Sequence, residues 1–255
     1  MKLVSMQPYF FPYLGYFDLL NITDEWIVFD TPQYMKYGWV NRNRILRPGS
    51  GWQYILAPLK KHHYTMPLNQ VEIMDSDWSG LILRQLEHYK KDAPYYDGVI
   101  PFLERCFSDL SNNLAQVNTT LFRQVAYRLG IERPIHVFSE MNLALQGPIA
   151  SPGDWGAAIA QAAGADEFIN RPGGATFFDE TDYQRRDVKL TYQYFVNMTY
   201  NCGKYHQFEP DMSIIDVMMW NSPEEIKHYM DTFRLPKERC EEHGFRAKFE
   251  RTQKR

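Results

Sequence analysis

Side chains able to grip an anion or move a proton gather at three places in this chain. Each lies where a strand should give way to a loop. The first is Gln7-Pro8-Tyr9-Phe10-Phe11-Pro12-Tyr13-Leu14-Gly15-Tyr16. Gly15 at a helix opening would let a ligand approach the backbone, and the free N–H groups of a helix start favour phosphate. In that reading Gln7, Tyr9, Tyr13 and Tyr16 line the pocket. A proline-bounded aromatic turn capping the core fits the same residues equally well.

The second place begins at Asp30, an acid closing an otherwise apolar strand. Such a carboxylate serves as a general base, a metal ligand or a cap for the loop that follows. Gln33, Lys36, Asn41, Arg42, Asn43 and Arg44 then put two guanidiniums, an ammonium and three amides within 12 residues. Arginine forks pair with phosphate or carboxylate in bidentate fashion, and amides read hydroxyls. An ordinary solvated basic loop has the same composition. If Arg42 and Arg44 lie on a strand, they face one side. The third place is Asn170-Arg171-Pro172-Gly173-Gly174. A glycine pair between strand and helix can cradle phosphate through backbone N–H groups, and Pro-Gly-Gly is also a routine turn.

Nucleophiles are poorly specified. Cys202 and His206 stand four apart, a spacing that arises by coincidence more often than by catalysis. Asp216 sits in an otherwise apolar helix, and a buried carboxylate needs a partner such as an Arg or the backbone. The adjacent side chains of His62 and His63 cannot chelate one metal from a helix face, and no metal or cofactor motif appears. The spacing Tyr13-x-Gly15-Tyr16 parallels the His-x-Gly-His element of nucleotidyltransferase-like folds, with tyrosine in both histidine places. That is an analogy of fold, and the missing histidines weaken phosphoryl chemistry.

The elements that would carry these groups alternate. Strands are expected at 3–6, 26–30, 52–59, 135–138, 167–170 and 188–195, and 31–44 reads as a polar connection. Helices are expected at 13–21, 78–91, 95–110, 112–130, 154–163, 177–186, 213–220 and 223–232. Leu114, Val117, Leu121, Val125 and Leu129 follow the 3.6-residue period, and Gly130 suits a C-cap. The result is an α/β class, a mostly parallel Rossmann-like sheet with a nucleotidyltransferase-like sheet as one form of it. One domain would span 1–235 with a helical insertion at about 77–130, leaving 236–255 as a charged, mobile tail.

The 255 residues carry 28 Lys+Arg against 31 Asp+Glu, a net charge of −3 that gives no broad footprint for nucleic acid or membranes. A local basic groove stays open. Three scattered cysteines exclude a disulfide scaffold. No stretch is apolar enough to span a bilayer, no secretory leader is visible, and a cytoplasmic protein is expected. An aromatic fraction of 15% suits either a large core or a binding pocket.

The segments Met6–Leu20, Trp26–Ile45, Leu86–Asp97, Phe168–Gly174 and Phe208–Ser222 resemble the WbqC-like protein family, over about residues 2–235. Members often open with His-Gln-Pro where this chain has Met6-Gln7-Pro8, which argues against an essential histidine there. Asp30 and Gln33 match an Asp-Asp-Val-Gln-like stretch without its second acid, and Lys36, Gly38, Asn41, Arg42, Asn43 and Arg44 match well. The family tends to have Gln near Cys202, which argues against that thiol as a nucleophile. The resemblance implies a transferase of surface-polysaccharide or O-antigen biosynthesis, or of a related natural-product pathway. It would pass an acyl or aminoacyl group, glycyl above all, to the amine of a nucleotide-linked amino sugar. Asp30 is then the general base, Arg42 and Arg44 hold the anionic handle, and Asn41 and Asn43 orient it. The donor is open between aminoacyl-tRNA and a carrier-protein or coenzyme A thioester. A triphosphate-using nucleotidyltransferase or ligase, and a non-catalytic sugar-nucleotide or carrier-binding protein, are the alternatives.

Overall fold

The computed structural model describes residues 1–233. In chain order the elements begin with β1 (Lys2–Met6), α1 (Leu14–Ile22), β2 (Glu25–Val28), β3 (Arg42–Leu46) and β4 (Trp52–Leu56). Three helices follow, α2 (Trp78–Leu86), α3 (Tyr96–Phe107) and α4 (Leu114–Arg128). The chain then runs through β5 (Ile135–Val137), α5 (Asp154–Ala162), β6 (Glu167–Asn170), α6 (Glu180–Arg185) and β7 (Lys189–Tyr192). Helices α7 (Ile214–Trp220) and α8 (Pro223–Thr232) close the described part.

Five strands form a parallel sheet in the order β5-β2-β1-β6-β7. Two-residue alternation sends neighbouring side chains to opposite faces. Leu3, Ile27 and Phe168 pack with Ala157, Ile159 and Ala160 of α5 and Tyr183 of α6. Val4, Trp26, Val28 and Ile169 join the larger cluster with Phe17 of α1 and Val117, Leu121 and Phe122 of α4. Both faces are therefore covered, which is why β1 and β2 read as short apolar runs, while β7 at the sheet edge reads as an alternating one. β3 and β4 form a separate antiparallel pair, with Arg42 opposite Leu56 and Leu46 opposite Trp52. Among the described residues no helix is long and apolar enough to cross a membrane.

The α/β class and the helical insertion stand, with local corrections. The segment expected as a polar connection contains β3, whose run Arg42-Asn43-Arg44 has weak strand propensity and is held by contacts distant in sequence. The helix expected over 78–91 breaks into α2 and a tight turn at Glu87–Lys91. The strand expected to reach 195 ends at Tyr192, where Gln193 turns its amide inward to Gly15 O and Asp18. The helix expected from 177 starts at Glu180, because the Asp179 side chain accepts from Thr181 N and caps it. The tail expected at 236–255 lies outside the described residues.

The chain leaves β1 on one side for β2 and β5, and returns on its other side for β6 and β7. Strand order thus reverses between β1 and β6, the place where sheets of this kind bind ligands beyond their carboxyl ends. The segment leaving β1 there is buried yet irregular, and side chains hold its carbonyls. Asn118 Nδ2 donates to Pro8 O and Val40 O at 2.8 and 2.7 Å. Asn43 Nδ2 donates to Phe10 O and Phe11 O at 3.0 and 2.9 Å, and Ser213 Oγ also donates to Phe11 O. Phe11 itself adopts φ 39°, a region that side chains with a Cβ seldom enter.

Asn118 is fully buried. Asn118→Ala strands two carbonyls, at about 1–3 kcal/mol each. Thermal unfolding followed by circular dichroism should show a Tm roughly 4–24 °C lower, for about 2–6 kcal/mol at 2–4 °C per kcal/mol in a chain of this size. Tyr127→Ala, at a side chain exposed on the same helix, should leave the Tm near that of the parent.

Candidate functional site

At the β1–β6 mouth, Gln7 is half-buried and has no hydrogen-bond partner among the described residues. Tyr9 stacks on Tyr16 with ring centroids 4.9 Å apart, and Tyr13 meets Tyr16 edge-on at 6.2 Å. The Arg171 guanidinium lies over the Tyr13 ring at 4.4 Å. It forms no ion pair with an Asp or Glu among the described residues. Burial pushes the Tyr13 phenol well up, and the Arg171 charge opposes that rise. Asp211 and Asp18 also act on that phenol, but neither closes an ion pair on Arg171 among the described residues, so the guanidinium can still pair with a ligand anion.

Gly15 has a different use from the one its position suggests. A Cβ there would overlap the Tyr13 phenol, so the ring occupies the space beside the first turn of α1. Asn170 is buried, and its Oδ1 accepts from Arg171 N at 2.6 Å, which aims the start of the turn. Gly173 and Gly174 lie in the tight turn Pro172–Gly174, where a Cβ on Gly174 would press on the Phe178 ring.

Asp30 lies beyond the end of β2, 3% exposed. Its carboxylate accepts from Ser139 N at 3.1 Å and Ser139 Oγ at 2.6 Å, while its carbonyl accepts from Asn69 N. It lines a cleft of about 410 Å³ between the ends of β2 and β5 and the first turns of α4. Gln116, Thr119, Thr120 and Arg123 of α4 form the far wall, and Arg123 donates to Ile135 O at 2.6 Å. That volume suits a small ligand. Asp30 and Arg171 share the carboxyl edge of one sheet, separated by two strand spacings, about 10 Å.

The basic, amide-rich run serves chiefly as scaffold. Gln33 donates to Tyr64 O, Asn41 bridges the Tyr34 hydroxyl and Ala57 O, and Asn43 ties down Phe10 and Phe11. Arg42 donates to Gly38 O and Tyr37 O, and Arg44 to Asp211 O. Lys36 lies over the Tyr37 ring. Arg42 and Arg44 do share one side of β3, as alternation requires. The structure thus brings Gln7, Tyr9, Tyr13, Asn170 and Gly174 to one mouth and Asp30 to a neighbouring cleft, whereas Tyr16, expected to line the pocket, is buried behind the Tyr9 and Tyr13 rings against Trp26. Asn41 and Asn43 are buried supports, and Arg42 and Arg44 lie on the half-exposed side of β3, outside the cleft lining.

Arg171, Ser139 and Arg123 are the residues that sequence reasoning passed over. Arg171 was visible within its motif, but that no Asp or Glu among the described residues pairs with it is a property of the fold. Cys202 does not pair with His206. Its buried thiol is pushed up to about 12 by burial and by Asp216 and Asp92, so it is no thiolate. His206 instead meets His88 at 2.7 Å and Asp92 at 3.4 Å. Asp216, fully buried, accepts from the Tyr89 and Tyr200 hydroxyls and from Leu46 N. Among the described residues no group of three His, Cys, Asp or Glu could hold a metal ion.

The His88–His206 pair sets a pH dependence. Burial and the neighbouring His206 hold His88 down at about 4, and burial lowers His206 as well. The unfolded chain binds these protons near pH 6.5, so stability is full above that value and declines towards pH 4. Tm should fall between pH 7.5 and 4.5, and His88→Gln should make that fall smaller.

A model of the WbqC-like protein family matches residues 7–228. The uncharacterized protein Rv1507c of Mycobacterium tuberculosis (strain ATCC 25618 / H37Rv) is 26% identical over 231 residues, covering 90% of this chain and 97% of its own length. No solved structure matches the chain. With the match spanning both mouths of the sheet and the hairpin behind them, the chain belongs to the WbqC-like protein family.

Proposed function

We propose that this chain is a cytoplasmic acyl or aminoacyl transferase acting on the amine of a phosphate-bearing small molecule, a nucleotide-linked amino sugar in surface-polysaccharide biosynthesis. The observation that carries this reading is Asp30, a carboxylate fixed by two donors from Ser139 at the wall of a 410 Å³ polar cleft. Two hydrogen bonds leave lone pairs free, because a carboxylate offers about four acceptor sites. In the proposed step Asp30 takes a proton from the substrate ammonium. The freed amine attacks the carbonyl carbon of the donor, the bond from that carbon to the donor's oxygen or sulfur breaks, and the leaving group takes up the proton that the attacking nitrogen sheds as it becomes an amide. Arg171 holds the phosphate at the β1–β6 mouth, and Gln7 and Tyr9 contact the sugar between. Aminoacyl-tRNA and a carrier-protein thioester are the donors this chemistry accepts.

The parallel order β5-β2-β1-β6-β7 and the placing of Tyr13-x-Gly15-Tyr16 favour a second reading, a nucleotidyltransferase- or ligase-like enzyme. Its signature is triphosphate-dependent release of pyrophosphate.

A nucleotide-linked amino sugar at 100 times its Kd should raise Tm by roughly 5–10 °C, from a binding stabilisation of about 2.7 kcal/mol. Arg171→Gln should abolish that shift. With the responding sugar and an acyl donor, Asp30→Asn should lower kcat about 100-fold or more while KM changes little. Unchanged turnover in Asp30→Asn removes the general base. A shift with nucleoside triphosphates alone moves the assignment to the second reading.

A further inference from the structure

Residues 31–71 carry six Lys and Arg side chains and no Asp or Glu, in a chain whose net charge is −3. The same stretch holds Tyr37, Trp39, Trp52 and Tyr54, and the β3–β4 hairpin interleaves rings with cations. The Arg42 guanidinium lies 4.4 Å from the Tyr54 ring and 5.5 Å from Tyr37. That of Arg44 lies 5.3 Å from both Trp39 and Trp52. Lys36 is 4.9 Å from Tyr37, and Trp52 meets Tyr54 edge-on at 4.9 Å. Tyr37 is 70% exposed, Trp52 38% and Trp39 36%.

Lys36, Arg42 and Arg44 form no ion pair with an Asp or Glu among the described residues. Asp211 gives Arg44 only its carbonyl oxygen, and its carboxylate accepts from Asn197. The face therefore offers flat rings and positive charge that no Asp or Glu among the described residues pairs with. An acidic peptide would match the charge but leave the rings unused. A duplex would match the charge and hide its base faces. Unpaired nucleotides supply both a phosphate for each cation and a π-face for each ring.

We propose that this hairpin face binds single-stranded nucleic acid, with bases stacking on Tyr37, Trp39 and Trp52 and phosphates meeting Lys36, Arg42 and Arg44. Trp39 O accepts from Phe10 N, so the platform adjoins the segment that leaves β1 for the candidate site. The inference stands apart from the transfer reading, because binding is measured without turnover.

The test titrates a 12-nucleotide oligoadenylate into the full chain while following tryptophan fluorescence. Saturable quenching is expected, with log K falling against log salt at a slope of about −2 for three phosphate contacts. Trp52→Ala and, separately, the more exposed Tyr37→Ala should each weaken binding about tenfold with Tm unchanged. Tyr127→Ala should bind as the parent does. Equal affinity for polyglutamate of the same charge, for heparin or for the matching duplex would overturn the proposal, as would binding without quenching.

Discussion

Peptide groups that are buried outside helix and strand must still find partners, and the stretch from Pro8 to Pro12 imposes that requirement on the whole molecule. Phe10 and Phe11 are almost fully buried, a gain of about 1.5–3 kcal/mol each. Each buried carbonyl left without a donor would cost about 1–3 kcal/mol, enough to cancel it. The donors come from three distant elements. Asn118 reaches in from α4, Asn43 from β3, and Ser213 and Ile214 N from the start of α7. The hairpin, the helical insertion and the C-terminal helices are thus gathered around one irregular segment, and the carboxyl edge of the sheet takes its shape from them.

Much of this frame was legible in the sequence, for physical reasons that also mark the limits. α4 could be read because five apolar residues repeat at the helical period and Gly130 ends them at φ 69°. The sheet could be read because strands buried on both faces leave short apolar runs between helices. β3 could not, since Arg42-Asn43-Arg44 owes its extended form to partners elsewhere. Asn43 shows the general difficulty. An amide aimed at a ligand and an amide aimed at a buried carbonyl are the same residue at the same spacing, and only the third dimension tells them apart. For Asp30 the sequence left base, metal ligand and cap open, and the structure gives it two Ser139 donors and a cleft together.

Asp216 follows the same logic with a different outcome. An acid in an apolar helix called for an Arg or the backbone. Leu46 N supplies the backbone share, and two phenols from Tyr89 and Tyr200 take the place of the cation. Neutral donors satisfy the oxygens without neutralising the charge, so burial still pushes the Asp216 carboxyl upward. The neighbouring His206 is stacked on Tyr89 with planes 6° apart, which places acid, phenol and imidazole in one buried stack beneath the hairpin.

The central position of β1 has a consequence for how the molecule is made. β1 pairs with β2 within the first 28 residues, but its other edge waits for β6 at Glu167. About 140 residues separate the two events. At about 5–20 residues per second, a nascent chain on the ribosome holds that apolar edge unpaired for roughly 7–30 s. Until then the half-sheet presents Leu3 and Val4 with an open row of peptide groups, a template for pairing with another chain. The hazard to a newly synthesised copy is therefore aggregation through β1, and a holding chaperone would find its binding segment there.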